Sequence, residues 1–374
     1  MGLIQIRLYS DPHALGSFPV ALDDSVTARL GRNAAVAIGV SGGKDSSAVA
    51  LRTRAFLEEI GHAGPLILIH SDLGRAEWEQ SLPVCERLAT RLNVELVVVR
   101  RKAGDLLDRW RQRWANNVRR YASLSCVCLI PPWSTPSMRF CTSELKLDVI
   151  YQELRRRFVG REVVSVTGIR REESKARSKI PVARTQPQLT RNRAGTIGCD
   201  WHPILSWSSG DVFSYLQRER FALHDAYTIY GSTRVSCAFC ILASKADLLA
   251  STACQGNQTI YRELVEIELD STFSFQAGHW LADVAPELLP PRLREATSPA
   301  QTRAKERELA EREIPKGLLY TAGWPTCIPT TQEAELLARV RQRVARTVGI
   351  EIDYTEPEDI ISRYVELMDA KAAR

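Results

Sequence analysis

The sequence predicts an α/β fold: a parallel sheet with helices on both faces, plus a C-terminal helical appendage. Three observations predict it. Short apolar runs alternate with segments of helical spacing through the first half of the chain. The first of these runs ends on a glycine pair that opens a helix. A stripe of leucines and valines at helical intervals lies near the C-terminus, beyond a proline-flanked, charge-rich stretch.

The elements follow in order. Residues 2–6, in "MGLIQIRLYSDPH", read as a short strand. "AAVAIGV" (34–40) reads as a buried strand that stops at the glycine turn, and "DSSAVALRTRAFLEEIG" (45–61) as a helix ending on glycine. "PLILIHSD" (65–72) is the second strand, "WEQSLPVCERLATRLN" a helix despite its proline, and "VELVVVRR" the third strand. "ELKLDVIYQELRRRF" is a helix, and "EVVSVTGIRREES" a fourth strand with a polar exit. The pattern then loosens. "DWHPILSWSSGDVFSYLQRE" suggests a turn and a helix, and residues 225–260 hold several cysteines with little strand signal. "PPRLREATSPAQTRAKERELAEREIPKG" suggests a partly helical connector. Thr330 with Glu333 makes a capping box, and Leu336, Leu337, Val340, Val344 and Val348 form one apolar face, a packing stripe. The expected organisation is an N-terminal extension (1–30), the α/β domain (31–200), a cysteine-rich region (201–290) and the helical appendage (291–374).

A chain of 374 residues is longer than one compact core usually holds. Its composition, 44% hydrophobic and 25% charged, is that of a soluble globular protein. No run approaches the ~18 apolar residues of a membrane span, and the N-terminus lacks the pattern of a signal peptide. The expectation is a cytoplasmic protein with no membrane partner. The net charge of +6 permits an acidic partner without requiring one. Residues 100–121 are strongly basic and carry Trp110 and Trp114. Basic residues among aromatics suit a nucleic-acid backbone with stacked bases. The favoured reading is plainer: an amphipathic helix with buried tryptophans. Nine cysteines, an odd number, argue against a disulfide framework and for metal or redox chemistry.

"VSGGKDSSAV" (40–49) carries the most information. A strand, a tight Gly-Gly turn and a helix present backbone N–H groups and a helix N-terminus to an anion. Gly42 and Gly43 permit close approach, Lys44 adds a cation, and Ser41, Ser46 and Ser47 add hydroxyl donors. The spacing fits neither G-x-x-x-x-G-K-[ST] nor G-x-G-x-x-G.

The string SGGKDS resembles the signature of the PP-loop ATP pyrophosphatases. Further segments resemble one branch, the phosphoadenosine phosphosulfate (PAPS) reductase-like family: "HSDLGRAEWEQS", "RFCTSELKLDVI", "TGIRREESKARSK", "HPILSWSSGDVFSYL" and "SCAFC", in that order. The resemblance spans about residues 34–245. It implies an adenine nucleotide alpha hydrolase-like PP-loop fold. It also implies that Ser41, Gly42, Gly43, Lys44, Asp45 and Ser46 hold the phosphates, with Lys44, Asp45 and Ser46 closest to the chemistry. Asp72 would lie near the nucleotide or its Mg²⁺, and Gly168, Arg170, Arg171 and Arg177 would line the nucleotide or substrate side. Arginines leaving the carboxyl end of a strand face the crevice where α/β sheets bind ligands, and their guanidinium forks suit phosphate.

Cys141, the pair Cys237 and Cys240, and Cys254 have a spacing that suits zinc or an iron–sulfur cluster. Set beside the family resemblance, they favour a [4Fe-4S] cluster. For the fourth ligand, Cys126, Cys128 and Cys199 rival Cys254; otherwise these three, like Cys85, are buried structural cysteines. Cluster-bearing adenylyl-sulfate reductases have two adjacent cysteines where this chain has Cys141–Thr142, and a C-terminal cysteine where it ends "ELMDAKAAR". These departures bring the chain closer to the DndC-type sulfurtransferases of DNA phosphorothioation. The expected function is ATP-dependent adenylylation of an acceptor, first a DNA backbone phosphate, with release of pyrophosphate and replacement of AMP by sulfur. The implied partners are nucleic acid (DNA, or tRNA), a cysteine desulfurase or other sulfur donor, and other subunits of a modification complex. The alternatives are a PAPS or adenylyl-sulfate reductase, a tRNA thiolation enzyme and a non-catalytic nucleotide-binding subunit.

Overall fold

A computed structural model describes residues 18–373; the strand expected at residues 2–6 lies outside them. The elements are α1 (Asp24–Gly31), β1 (Ala35–Val40), α2 (Lys44–Glu59), β2 (Leu66–Asp72), α3 (Ser81–Leu92), β3 (Glu95–Arg100), α4 (Leu106–Ala122), α5 (Phe140–Thr142), α6 (Asp148–Arg157), β4 (Glu162–Val166), β5 (Ala183–Thr185), β6 (Ile197–Trp201), α7 (Ser209–Arg218), α8 (Asp225–Thr228), α9 (Lys245–Ala253), α10 (Gln258–Ser271), α11 (Pro291–Glu311), α12 (Thr331–Val348) and α13 (Pro357–Ala372). A single π turn, Ser143–Leu147, joins α5 to α6. The chain divides into two compact units. One runs to Leu106 and resumes at Arg139–Asn257; the other is Leu107–Met138 with Gln258–Arg374. The division differs from the expected boundaries. Most of the cysteine-rich region belongs with the sheet, and residues 107–138 belong with the C-terminal helices.

The first unit holds a six-stranded sheet in the order β3-β2-β1-β4-β6-β5. All neighbours are parallel except β5, which runs antiparallel to β6. Both faces are covered, as the continuous apolar strands require. Val36, Ile38 and Val40 of β1 join one core with residues of α1, α2, α3 and α7. Ala35 and Ala37 point the other way, into a core with Tyr151 and Leu154 of α6. Val26 and Leu30 of α1 are buried in the first core, so the described part of the expected extension is integral to the unit.

Two strands escaped the sequence reading. In β6, Asp200 interrupts the apolar pattern, yet it is buried. The Tyr151 hydroxyl donates to its Oδ1 at 3.0 Å and Gln186 Nε2 to its Oδ2 at 2.7 Å, so the carboxylate is tolerated in the sheet. β5 is only three residues long and exists through its pairing with β6.

The second unit is helical. Leu337, Val340, Val344 and Val348 are buried, and Leu336 packs against the same core. The Thr330–Glu333 capping box forms. The stretch expected as a connector is one helix, α11, of 21 residues. Its buried face is made of Leu293, Ala300, Ala304, Arg307 and Ala310, a small-residue pattern with weak apolar signal. Arg307 is buried but satisfied: it donates to the Thr272 carbonyl at 3.1 Å, to Thr272 Oγ1 at 3.0 Å and to Glu311 at 2.8 Å. In α4 the tryptophans are packing residues, as the plainer reading had it. Trp110 is buried edge-on to Trp133 and Phe275, and Trp114 packs on Phe273. No described helix is long and apolar enough to cross a membrane.

Candidate active site

Strand order reverses at β1, whose neighbours are β2 on one side and β4 on the other. Such a switch point opens a crevice at the carboxyl ends of the strands. Both segments singled out by the sequence leave their strands there: Ser41–Ser46 after β1, and Gly168–Arg171 after β4.

The loop is tight. Gly42 has φ +75°, and a Cβ on it would lie 2.8 Å from the Ser81 carbonyl oxygen, so only glycine fits. Gly43 is the N-cap of α2 and brings no side chain to the N–H groups of the first turn; that of Lys44 is taken by the Tyr227 oxygen at 3.1 Å. The Ser46 hydroxyl donates to the Gly43 carbonyl at 2.9 Å and accepts the Ser41 N–H at 3.2 Å, closing the turn on itself. Ser47 is buried behind it.

Lys44 is buried. Its Nζ lies 3.1 Å from Asp45 Oδ2 and faces the rings of Tyr227 and Phe213, 5.6 and 5.7 Å from their centroids. The other oxygen of Asp45 accepts from Arg170 Nε at 2.6 Å. Asp45 is thus shared by two cations, one from each loop. Gly168 makes this possible, because a Cβ there would lie 2.6 Å from the Asp45 carbonyl oxygen. Arg170 is itself buried, and it also reaches Glu172 at 3.3 Å. It clamps the two loops together, whereas Arg171 is exposed and Arg177 pairs with Glu173.

Asp72 ends β2 at the same edge. Its Oδ1 accepts the Gly74 N–H at 2.6 Å, and its Oδ2 lies 3.6 Å from Arg100 Nε. Two residues earlier, the buried His70 sits between two acceptors, the Val40 carbonyl at Nδ1 and the Glu77 carboxylate at Nε2, each at 3.0 Å. Both nitrogens must therefore carry protons. Burial works against the charged ring, but the bonds to Cys85 and Glu77 outweigh it and raise its pKa to about 10.

Glu77 forms an isolated antiparallel bridge with Cys237. Burial pushes the Cys237 thiol up to about 12; nearby Lys146 opposes the shift, and Cys240 and Cys141 add to it. Three of the four singled-out thiols therefore share one electrostatic neighbourhood, beside the π turn that carries Lys146. Cys240 Sγ accepts the Leu242 N–H at 3.4 Å. The fourth, Cys254, is buried at the C-cap of α9, beside Tyr230, whose phenol pKa it raises. Among the described residues, no three His, Cys, Asp or Glu side chains stand where they would hold a metal ion. Cys141, Cys237 and Cys240 are neighbours with the thiolate chemistry a cluster takes, but neither these three nor the set with Cys254 stands assembled as metal ligands. Of the rivals, Cys199 is buried in the sheet core, and Cys126 and Cys128 belong to the core of the helical unit. Burial raises the thiols of Cys126 and Cys128 to about 11 and about 12.

Sequence reasoning missed Tyr227, Phe213 and His70. The two rings come from α8 and α7, far along the chain from Lys44, and no spacing rule links them to it. A profile of the phosphoadenosine phosphosulfate reductase domain matches residues 35–243. The chain belongs to that family. The match covers the sheet, both crevice loops and the Cys-x-x-Cys pair of this PAPS reductase-like protein. Similar solved structures include phosphoadenylyl-sulfate reductase from Candida auris in a phosphate complex, at 13% identity, covering 54% of this chain and 80% of that one with a TM-score of 0.34. Another is the U34-tRNA thiolase NcsA from Methanococcus maripaludis with its [4Fe-4S] cluster, at 14% identity, covering 71% and 86% with a TM-score of 0.28. No curated protein matches.

Proposed function

We propose that this PAPS reductase-like protein is an ATP-dependent sulfurtransferase that activates an acceptor by adenylylation, with a DNA backbone phosphate as the first-choice acceptor. One observation carries the reading. At the switch point of the sheet, a glycine turn and a helix N-terminus without a side-chain cap from its own N-cap residue are joined to a Lys44–Asp45–Arg170 charge cluster. That is a preorganised site for a nucleotide polyphosphate.

In this scheme an acceptor oxygen attacks the α-phosphorus of ATP. The bond from that phosphorus to the bridging oxygen breaks, and pyrophosphate leaves with the electron pair. The N–H groups at the start of α2 and the Lys44 ammonium stabilise the departing charge, while Asp72 would hold Mg²⁺. The terminal sulfur of a donor persulfide, such as that of a cysteine desulfurase, then attacks the activated phosphorus and displaces AMP, and a thiol reductant cleaves the S–S bond, leaving the sulfur on the acceptor and a disulfide on the donor side. Cys141, Cys237 and Cys240, with Cys254 as the expected fourth ligand, would hold a [4Fe-4S] cluster, which when bound supplies sulfur or electron relay.

A second reading, a PAPS or adenylyl-sulfate reductase, is favoured by the description of the matching family itself. The deciding experiment measures pyrophosphate and AMP formed from ATP by anaerobically purified protein, with and without DNA or tRNA. Pyrophosphate stimulated by DNA supports the proposal, and stimulation by tRNA alone moves the acceptor to RNA. No pyrophosphate, but oxidation of a thiol reductant with PAPS, overturns it in favour of the reductase.

A further inference from the structure

Tyr227 lies on α8, a four-residue helix held in place by its N-cap His224. His224 Nδ1 accepts the Ala226 N–H at 2.9 Å, and its ring lies edge-on to Trp78. The Tyr227 oxygen accepts two backbone N–H groups, that of Lys44 at 3.1 Å and that of Val235 at 3.1 Å. A phenol oxygen has two lone pairs and one proton. With both lone pairs engaged, the hydroxyl is left with only its hydrogen to give. Among the described residues no acceptor takes that hydrogen. Burial pushes the phenol pKa up to about 12, so the proton is retained at neutral pH. The same ring carries the Lys44 ammonium on its face. A neutral donor and a cation are thus held side by side at the start of α2.

We infer that Tyr227 is a substrate-contacting residue whose O–H donates to an oxygen of the pyrophosphate portion of the nucleotide in the Ser41–Ser46 loop. The inference rests on the phosphate-cradle reading and adds a donor to it. It also means that one atom touches the nucleotide, the phosphate loop through Lys44 and the segment leading to Cys237 through Val235.

The test is calorimetric titration with inorganic pyrophosphate and, separately, with adenosine. Tyr227→Phe should weaken pyrophosphate binding by roughly ten- to a hundredfold, the usual range for a hydrogen bond to a charged group. Adenosine affinity should not change. Replacing Tyr227 with 3-fluorotyrosine makes the O–H a stronger donor and the oxygen a poorer acceptor. Pyrophosphate should then bind more tightly while the melting temperature falls slightly. If fluorination weakens pyrophosphate binding, or if Tyr227→Phe weakens both ligands equally or neither, the oxygen is only a structural acceptor and the inference is overturned. Should Tyr227→Phe fail to fold, the fluorotyrosine protein decides alone, since it keeps both N–H bonds. Wild-type protein that does not bind pyrophosphate removes the cradle reading itself.

Discussion

Arg170 Nε lies 2.6 Å from Asp45 Oδ1, tying the loop after β4 to the first turn of α2. This buried contact joins residues 125 apart in the chain and sets the width of the crevice between β1 and β4. Removing the guanidinium leaves Asp45 with Lys44 alone and Glu172 with the Ser209 N–H. Arg170→Ala should lower stability by about 3 kcal/mol, typical of breaking a buried ion pair. It should also raise the KM for nucleotide. Urea unfolding at constant m-value checks the first expectation and steady-state kinetics the second.

Lys44→Ala should behave differently. Asp45 keeps Arg170 as its partner, so the loop retains its shape. The site loses the one ammonium at the helix N-terminus, and turnover should fall by at least about a hundredfold. The melting temperature should move by only a few degrees. Undiminished turnover would sink the assignment of this loop to phosphate.

Gly168→Ala tests the close approach of the two loops. The added methyl would stand 2.6 Å from the Asp45 carbonyl oxygen, which belongs to backbone and has little room to yield. The loops must part, at a cost of roughly 2 kcal/mol for overpacking, and the Arg170–Asp45 contact should lengthen. A crystal structure of the variant with Arg170 still bonded to Asp45 would contradict this account.

His70 gives the fold a pH signature. Its folded pKa, about 10, is above the unfolded value near ~6.5. The ion pair with Glu77 is therefore fully present below the unfolded value and is lost as pH rises through the folded one. Stability should decline between about pH 6.5 and 10, by at most about 1.4 kcal/mol per pH unit from this group. Chemical denaturation across that window should show the slope in the wild type and its loss in His70→Gln.

Cys240→Ser should remove iron, and the colour that goes with it, from anaerobically purified protein. The sheet cores contain no residue of the Cys237–Cys240 segment, so the secondary structure should persist by circular dichroism. Iron content equal to wild type would show that the ligand set is wrong.

Much of the site was legible because its signals are local. The Gly42–Gly43 turn between a buried strand and a helix is a statement about a few consecutive residues, as is the Thr330–Glu333 box that starts α12. The misses share a cause. Asp200 looks wrong for a strand until Tyr151 and Gln186 arrive to bond it. The alanine face of α11 is too weak to read until Phe273 and Thr272 cover Arg307.

The sequence by itself determined the α/β class, the four main strands, the glycine turn between β1 and α2 and the packing role of the C-terminal stripe. Periodicity and glycine conformation act over one turn or one strand, so they survive reading in one dimension. Tertiary structure alone decided that Arg170 grips Asp45 and that Tyr227 stands at the helix start. It also decided that Cys141, Cys237 and Cys240 share a neighbourhood while Cys254 turns to Tyr230. These are relations between residues brought together by the closing of the sheet and its helices. Their energies depend on distance in space, which order along the chain does not contain.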